Sequence, residues 1–259
     1  MTGAGLARDK VALVTGAGSG IGRAAAMLFA AEGARAVIAA DIDGSSASET
    51  ARLIETSGCA AESVRLDVCE PNAARGLVDT IVDAHGSLDA AVNCAGVRGP
   101  MAPVGELAAD EWRRVMAVNL DGVFLCMQAE IGAMLAGGGG AIVNVASGAV
   151  TEPHPGLSAY GASKSGVVHL TRTAAVEYAS SNIRINVVLP GRTRTPMLED
   201  YYRRNPGAES RALDSAPMKR LGEPSEQADT IVWLCSERAS YVAGAALLVD
   251  GASHAGRSR

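Results

Sequence analysis

Short apolar runs rich in β-branched residues recur seven times along the chain, at 11–15, 36–41, 63–67, 88–93, 141–147, 183–189 and 245–249. Segments of helix length separate them, opening near Gly20, Ser45, Pro71, Asp110, Ser158 and Pro224, several with the Ser, Pro or Asp that helix starts favour. Runs that are apolar throughout rather than alternating are strands covered on both faces. Strand, helix, strand in repeated succession therefore predicts an α/β fold in which a seven-stranded parallel sheet is doubly wound by helices, because each parallel crossover needs a covering segment. With 259 residues, 48% of them hydrophobic, the chain is expected to form one domain, residues 1–259, around a large core. The Gly137 to Gly140 run reads as a turn before the fifth strand, and the polar tail 251–259 reads as mobile unless an oligomer holds it.

The first run leads directly into a glycine-rich turn, Thr15-Gly16-Ala17-Gly18-Ser19-Gly20-Ile21-Gly22, and then into a helical pattern. Glycine is wanted where a pyrophosphate must approach backbone N–H groups at a helix N-terminus, since side chains would block it. A turn of this kind can also be a tight strand-to-helix connection without a ligand. Its position in the first strand–helix unit favours the ligand, as does Asp41, which ends the second strand at the offset where a carboxylate accepts hydrogen bonds from an adenosine ribose. A carboxylate there repels a 2′-phosphate, and Ser19 brings no compensating cation, so NAD is expected over NADP.

Tyr160 and Lys164 lie four positions apart in Tyr-Gly-Ala-Ser-Lys, which places both on one helix face. A phenol is a poor base near neutrality, and a cation one turn away favours its ionised form. Taken alone, the spacing fits a surface pair equally well.

Other classes are disfavoured. A net charge of −5 argues against a nucleic-acid partner. Residues 1–10 lack an apolar leader core, and no uninterrupted apolar run reaches the roughly 18 residues of a membrane span, so a soluble, cytoplasmic protein without a membrane partner is expected. The five cysteines are scattered without metal-ligand spacing, so neither disulfides nor a metal site is expected.

From residue 10 to residue 251 the chain resembles the short-chain dehydrogenase/reductase family, whose single-domain members have a Rossmann fold. The glycine turn resembles the family's cofactor motif, through Gly16, Ser19, Gly20, Ile21 and Gly22, and Asp67-Val68 resembles the pair that embraces the adenine. Asp41 and Ile42 would border the ribose. Asn93-Cys94-Ala95-Gly96 is similar to the element that lies under the cofactor, with Cys94 in place of the usual Asn. Pro190, Gly191, Thr193 and Thr195 fall where the family places the nicotinamide, although an aliphatic residue is more usual at 193.

The resemblance further implies a catalytic set of Asn119, Ser147, Tyr160 and Lys164. Tyr160 would be general base and acid, and Lys164 would lower its pKa and bind the nicotinamide ribose. Ser147 would orient the substrate oxygen, and Asn119 would hold a water linked to Lys164. The implied activity is NAD-dependent interconversion of a small or cyclic secondary alcohol and its ketone. NADPH-dependent reduction of a 3-oxoacyl thioester and a non-catalytic dinucleotide sensor are the alternatives. The segment 192–220 reads as a lid whose arginines and lysine either suit an anionic substrate or, with four acidic residues among them, form a solvated mixed-charge surface. Arg98 and His154 are candidate substrate contacts at the cleft. Relatives suggest a homotetramer, built through the helices of Asn119 and Tyr160 and the last strand, although Val123, Phe124, Leu125, Val167, Val168 and Leu170 could serve the internal core instead.

Overall fold

A computed structural model describes residues 5–255, and within them the chain alternates strands and helices. The first half runs β1 (Val11–Thr15), α1 (Gly20–Ala31), β2 (Ala36–Asp41), α2 (Gly44–Glu55), β3 (Ala60–Arg65), α3 (Ala73–His85) and β4 (Ala90–Asn93). The second runs α4 (Ala109–Met116), a π-turn at Ala117–Asp121, α5 (Gly122–Gly137), β5 (Gly140–Val145), α6 (Ser158–Tyr178), β6 (Ile183–Pro190), α7 (Pro196–Arg204), α8 (Ala208–Ser215), α9 (Pro224–Cys235) and β7 (Ala246–Val249). All seven strands are parallel, in the order β3-β2-β1-β4-β5-β6-β7. This is a Rossmann-type α/β fold, with a hydrophobic cluster on each face of the sheet.

The order reverses at the β1–β4 pair, where Thr15 lies beside Asn93. Crossovers leave β1 and β4 toward opposite sides, so a crevice opens at their carboxyl ends. Residues in β1 and β4 are buried throughout, which is why their sequences show no alternation. Edge strand β3 has exposed Ala60, Glu62 and Ser63, and its pairing runs from Ala60 to Arg65 rather than over 63–67. A strand wetted along one edge lacks the continuous apolar run that marks the central ones, and the expected window followed the later Val64 and Leu66 instead. Asp67 consequently lies beyond the strand.

Two segments read only coarsely from the sequence have defined structure. The 192–220 segment contains helices α7 and α8; Thr195 caps the first through its hydroxyl, with Pro196 at its first position. The described part of the tail, 251–255, is held, because His254 donates its backbone N–H to Asp250 (3.0 Å) and pairs with that carboxylate through Nδ1 (2.7 Å). Residues 256–259 of the tail and 1–4 of the N-terminal segment lie outside the described residues. The continuous helical stretch Ala109–Gly137 has the length and apolarity of a membrane span, yet Val123, Cys126, Met127, Ile131 and Met134 pack into the core beneath the sheet.

A polar clasp runs through that core. Asn93 donates from Nδ2 to Glu130 Oε2 (2.9 Å) and to Asn144 Oδ1 (3.0 Å), and Asn144 donates to Thr171 Oγ1 (2.9 Å), joining β4, β5, α5 and α6. Glu130 is fully buried, and burial lifts its carboxyl to about 7 against the one hydrogen bond from Asn93. Glu130 Oε1 and Asn93 Oδ1 are both buried without a partner among the described residues. A proton retained on Glu130 spares the core an unpaired negative charge.

The linkage has a definite sign. The folded acid keeps a proton that the unfolded chain releases near 4.5, so stability is full below that pH and falls as pH rises toward about 7. Glu130→Gln carries a permanent amide donor of similar size. Its unfolding free energy should match that of the parent near pH 5 and exceed it by pH 8 by an amount of the order of 3 kcal/mol at most. Denaturant titrations at the two pH values measure this, and parallel pH dependences in both proteins would show that Glu130 is not the titrating group.

Candidate active site

The crevice at the switch point widens into a cavity of about 1430 Å³ running from the glycine turn to the lid. Gly16 and Gly20 adopt φ of +68° and +53°, and a side chain on Gly16 would lie 2.7 Å from the Ala95 backbone N. The turn can hold its shape only with glycine there. Ser19 occupies the cap position of α1 but makes no capping hydrogen bond, so first-turn N–H groups other than that of Gly22, which is directed at Cys94, are left for an anion. Asp41 is fixed beside this turn, accepting from Gly18 N (2.8 Å) and Asp43 N (3.0 Å). Ile42, 59% exposed, continues the rim with an aliphatic side chain. The guanidinium of Arg23 is turned away, onto Gly18 O, Thr50 Oγ1 and Ser46 O. This end therefore fits a pyrophosphate and a ribose bearing free hydroxyls, and opposes a 2′-phosphate.

Sixteen of the positions read from sequence as cofactor-binding line the cavity: Gly16, Ser19, Gly20, Ile21, Asp41, Ile42, Asp67, Val68, Ala95, Gly96, Tyr160, Lys164, Pro190, Gly191, Thr193 and Thr195. Two do not. Gly22 is buried under the turn, where a side chain would meet Gly16 O at 2.2 Å, and Asn93 belongs to the clasp below. Their part is in the shape of the floor.

Ser147, Tyr160 and Lys164 also line the cavity, whereas Asn119 is fully buried behind it. Asn119 sits in the π-turn, a widened turn that re-aims its side chain. Oδ1 accepts from Val97 N (2.8 Å), and Nδ2 donates to Val97 O (2.8 Å) and Ser163 Oγ (3.2 Å). Both amide hydrogens are thus engaged, so a water can be held by this side chain only at Oδ1. That oxygen and Lys164 Nζ lie 3.2 and 3.4 Å from the point a Gly96 side chain would occupy. The missing methyl keeps a small polar gap between them.

Lys164 is 4% exposed and donates to Val145 O at 2.8 Å. Burial brings its ammonium down to about 8, with the nearby Cys94 pulling weakly the other way. The expected lowering of the Tyr160 pKa does not prevail in this arrangement. Burial raises it above 10, while a hydrogen bond with Ser147 and the charge of Arg98 oppose the rise. Burial also lifts the Cys94 thiol to about 11, which makes it a packing residue rather than a nucleophile.

The sequence reading missed His254 and left Tyr201 and Tyr202 of the lid unassigned, yet all three line the substrate end. His254 lies against Gly148, beside Ser147, where a side chain at 148 would be 2.6 Å from its ring. The acid–histidine spacing of Asp250 and His254, four apart directly after a strand, was the available signal.

Comparisons with known proteins place the chain in a family. Residues 16–254 match a family described as enoyl-(acyl carrier protein) reductase. Cyclohexanol dehydrogenase of Acinetobacter sp. (strain SE19) is 41% identical over 94% of both chains. Cis-4-hydroxycyclohexanecarboxylate dehydrogenase of Sinomonas cyclohexanicum is 44% identical over 94% of this chain and 96% of its own. A structure of NAD+-bound xylitol dehydrogenase superposes with a TM-score of 0.89 at 32% identity, covering 95% of this chain and 99% of that one. The chain belongs to the short-chain dehydrogenase/reductase family. It is an oxidoreductase that uses a dinucleotide cofactor, NAD, and Asp41 stands at the end of β2 where its carboxylate opposes a 2′-phosphate.

Replacing Asp41 and Ile42 together tests that selection. The parent should favour NAD over NADP by roughly 100-fold or more in kcat/KM, since opposed like charges cost several kcal/mol. Asp41→Ala with Ile42→Arg should reverse the preference. Equal use of both dinucleotides by the parent would remove the assigned role of Asp41.

Proposed function

We propose that this protein interconverts a small or cyclic secondary alcohol and its ketone with NAD, using Tyr160 as general base and acid. The observation that carries the reading is the joint placement of Ser147, Tyr160 and Lys164 on the wall between the glycine turn and the lid. The named activities of the cyclohexanol and hydroxycyclohexanecarboxylate relatives support a cyclic substrate. Reduction of a 3-oxoacyl thioester with NADPH is opposed by Asp41.

The floor at Gly16, Asp41, Ala95, Gly96, Pro190 and Gly191 holds the dinucleotide, which supplies a hydride acceptor for oxidation and a donor for reduction. Ser147 orients the substrate oxygen and steadies charge developing on it. Tyr160 removes the hydroxyl proton in oxidation and returns it in reduction. Lys164, near the gap beside Gly96, exchanges a proton with the solvent path at Asn119 Oδ1. An ammonium already close to neutrality passes that proton easily. In oxidation the Tyr160–Lys164 pair must lose a proton, so its groups favour the forward reaction as pH rises and the reverse reaction as pH falls.

In the same reading the enzyme is a soluble, cytoplasmic homotetramer, and α5 is a core helix. Exposed Phe124 on α5 and Leu247 and Leu248 on β7 support self-association, whereas Val123 and Val167 serve the internal core. Light scattering should return four times the chain mass of 26.3 kDa, and a monomer at micromolar concentration would contradict the assembly.

Tyr160→Phe should bind NADH as the parent does while kcat falls by about 10²–10⁴-fold. For the parent, kcat/KM for alcohol oxidation should climb between pH 7 and 9, and that for ketone reduction should decline. Undiminished turnover by the phenylalanine variant would eliminate the acid–base role.

A further inference from the structure

The arginines around the lid fall into two groups. Arg194 pairs with Glu223 (3.3 Å) and Glu209 (3.9 Å), Arg203 and Arg204 with Asp200, and Arg220 with Glu226 (2.6 Å). None of the paired ones lines the cavity. Arg98, Arg192 and Arg211 do line it, and none of the three has a carboxylate within ion-pair distance among the described residues. Arg98 leaves β4 toward the lid and stacks on the Tyr201 ring of α7, its carbon 3.8 Å from the ring centroid, with Met101 Sδ as its hydrogen-bond acceptor at 3.2 Å. Arg192 donates to Ala212 O (3.3 Å) and Ser215 Oγ (3.0 Å) on α8. Both side chains are positioned by uncharged partners.

Beside them, the hydroxyl of Tyr202 is buried and has no hydrogen-bond partner among the described residues, although its residue lines the cavity. A buried phenol left without a partner is unfavourable unless a ligand engages it. Burial keeps the phenol protonated and hence a donor, and the fields of both Arg192 and Arg98 reach it. Lys219 and Arg211 add positive charge to this end, against Glu152 and Asp214.

We propose that Arg98 and Tyr202, supported by Arg192, form a recognition site for a carboxylate on the substrate, at the lid end of the cavity. The inference rests on the alcohol dehydrogenase reading and narrows it to hydroxy acids in which a ring separates the two groups. A guanidinium seated over an aromatic ring keeps N–H groups available for paired donation to one carboxylate, and the phenol adds a further donor. The paired arginines of α7 and the lid flanks account for the mixed-charge character of the segment. Those facing the cavity are a separate set.

Two measurements test the site. Steady-state oxidation with NAD compares cis-4-hydroxycyclohexanecarboxylate with its methyl ester, which keeps the ring and the carbinol and removes the charge. The parent should prefer the acid by at least tenfold in kcat/KM, through KM, and Arg98→Gln and Tyr202→Phe should each shrink that ratio severalfold. Calorimetry on the NADH complex then compares cyclohexanecarboxylate with its primary amide, which reads the site without turnover. Tighter binding of the carboxylate, weakened in both variants, is expected. Equal handling of acid and ester, with equal binding of carboxylate and amide, overturns the anion site and leaves alcohol oxidation standing. If no alcohol is oxidised but the carboxylate still binds preferentially through Arg98 and Tyr202, the anion site stands and the activity assignment fails. Tyr202→Phe removes one oxygen only, so it remains informative if the Arg98 variant unfolds.

Discussion

The contact between the Gly16 backbone and Ala95, so close that a methyl group would stand 2.7 Å from the Ala95 nitrogen, joins the two halves of the molecule. It exists because β1 and β4 are neighbours at the point where the strand order reverses. On one side lie α1, β2 and the pinned carboxylate of Asp41; on the other lie the Gly96 gap, Lys164 and Asn119. Any side chain at 16 would separate these groups, and the cavity would lose its continuous floor. The clasp from Asn93 to Glu130, Asn144 and Thr171 fixes the same floor from below. Shape above the sheet and polarity within it are therefore parts of one arrangement.

Burial governs the chemistry more than the Tyr–Lys spacing does. It raises the phenol and depresses the ammonium, so each is pushed toward its neutral form. A four-residue spacing on a helix establishes which side chains share a face. It does not establish that their charges dominate the local field. The two pKa values move apart, so a proton shared between these groups rests on the phenol and the amine is the one that releases its proton near neutrality, with Ser147 on the phenol and the Asn119 oxygen near the amine.

Much of the architecture was legible because central parallel strands are apolar on both faces, as at Val11–Thr15. The cofactor end was legible because glycine at 16 and 20 answers a backbone requirement that no other residue meets. Legibility failed where the determining contacts come from elsewhere in the chain. β3 is an edge strand and shows half a pattern; Asn93 and Gly22 shape the floor without lining it; His254 reaches the cavity only because Asp250 holds a tail that composition alone describes as loose. Arg98 stood out in the sequence only by its place just past the Asn93 to Gly96 element, because the Tyr201 ring beneath it comes from a distant segment.

The distribution of paired and unpaired arginines follows from what a lid must do. Ion pairs on the outer surface of α7 are solvated and contribute little, so they place few demands on the residues facing inward. Arg98, half-buried, and Arg192, exposed, face the cavity without a counter-ion, and a ligand that brings the missing charge is favoured there. Stacking on Tyr201 and hydrogen bonds to α8 keep Arg98 and Arg192 in place meanwhile, at less expense than exposure of a flexible side chain to a nonpolar wall. A neutral alcohol of the same shape would leave that imbalance, and the Tyr202 hydroxyl, unsatisfied. On the proposed reading, discrimination comes from leaving the buried Tyr202 hydroxyl and the facing guanidiniums unpaired rather than from a steric fit, since a site built to hydrogen-bond a group rejects an analogue that lacks it.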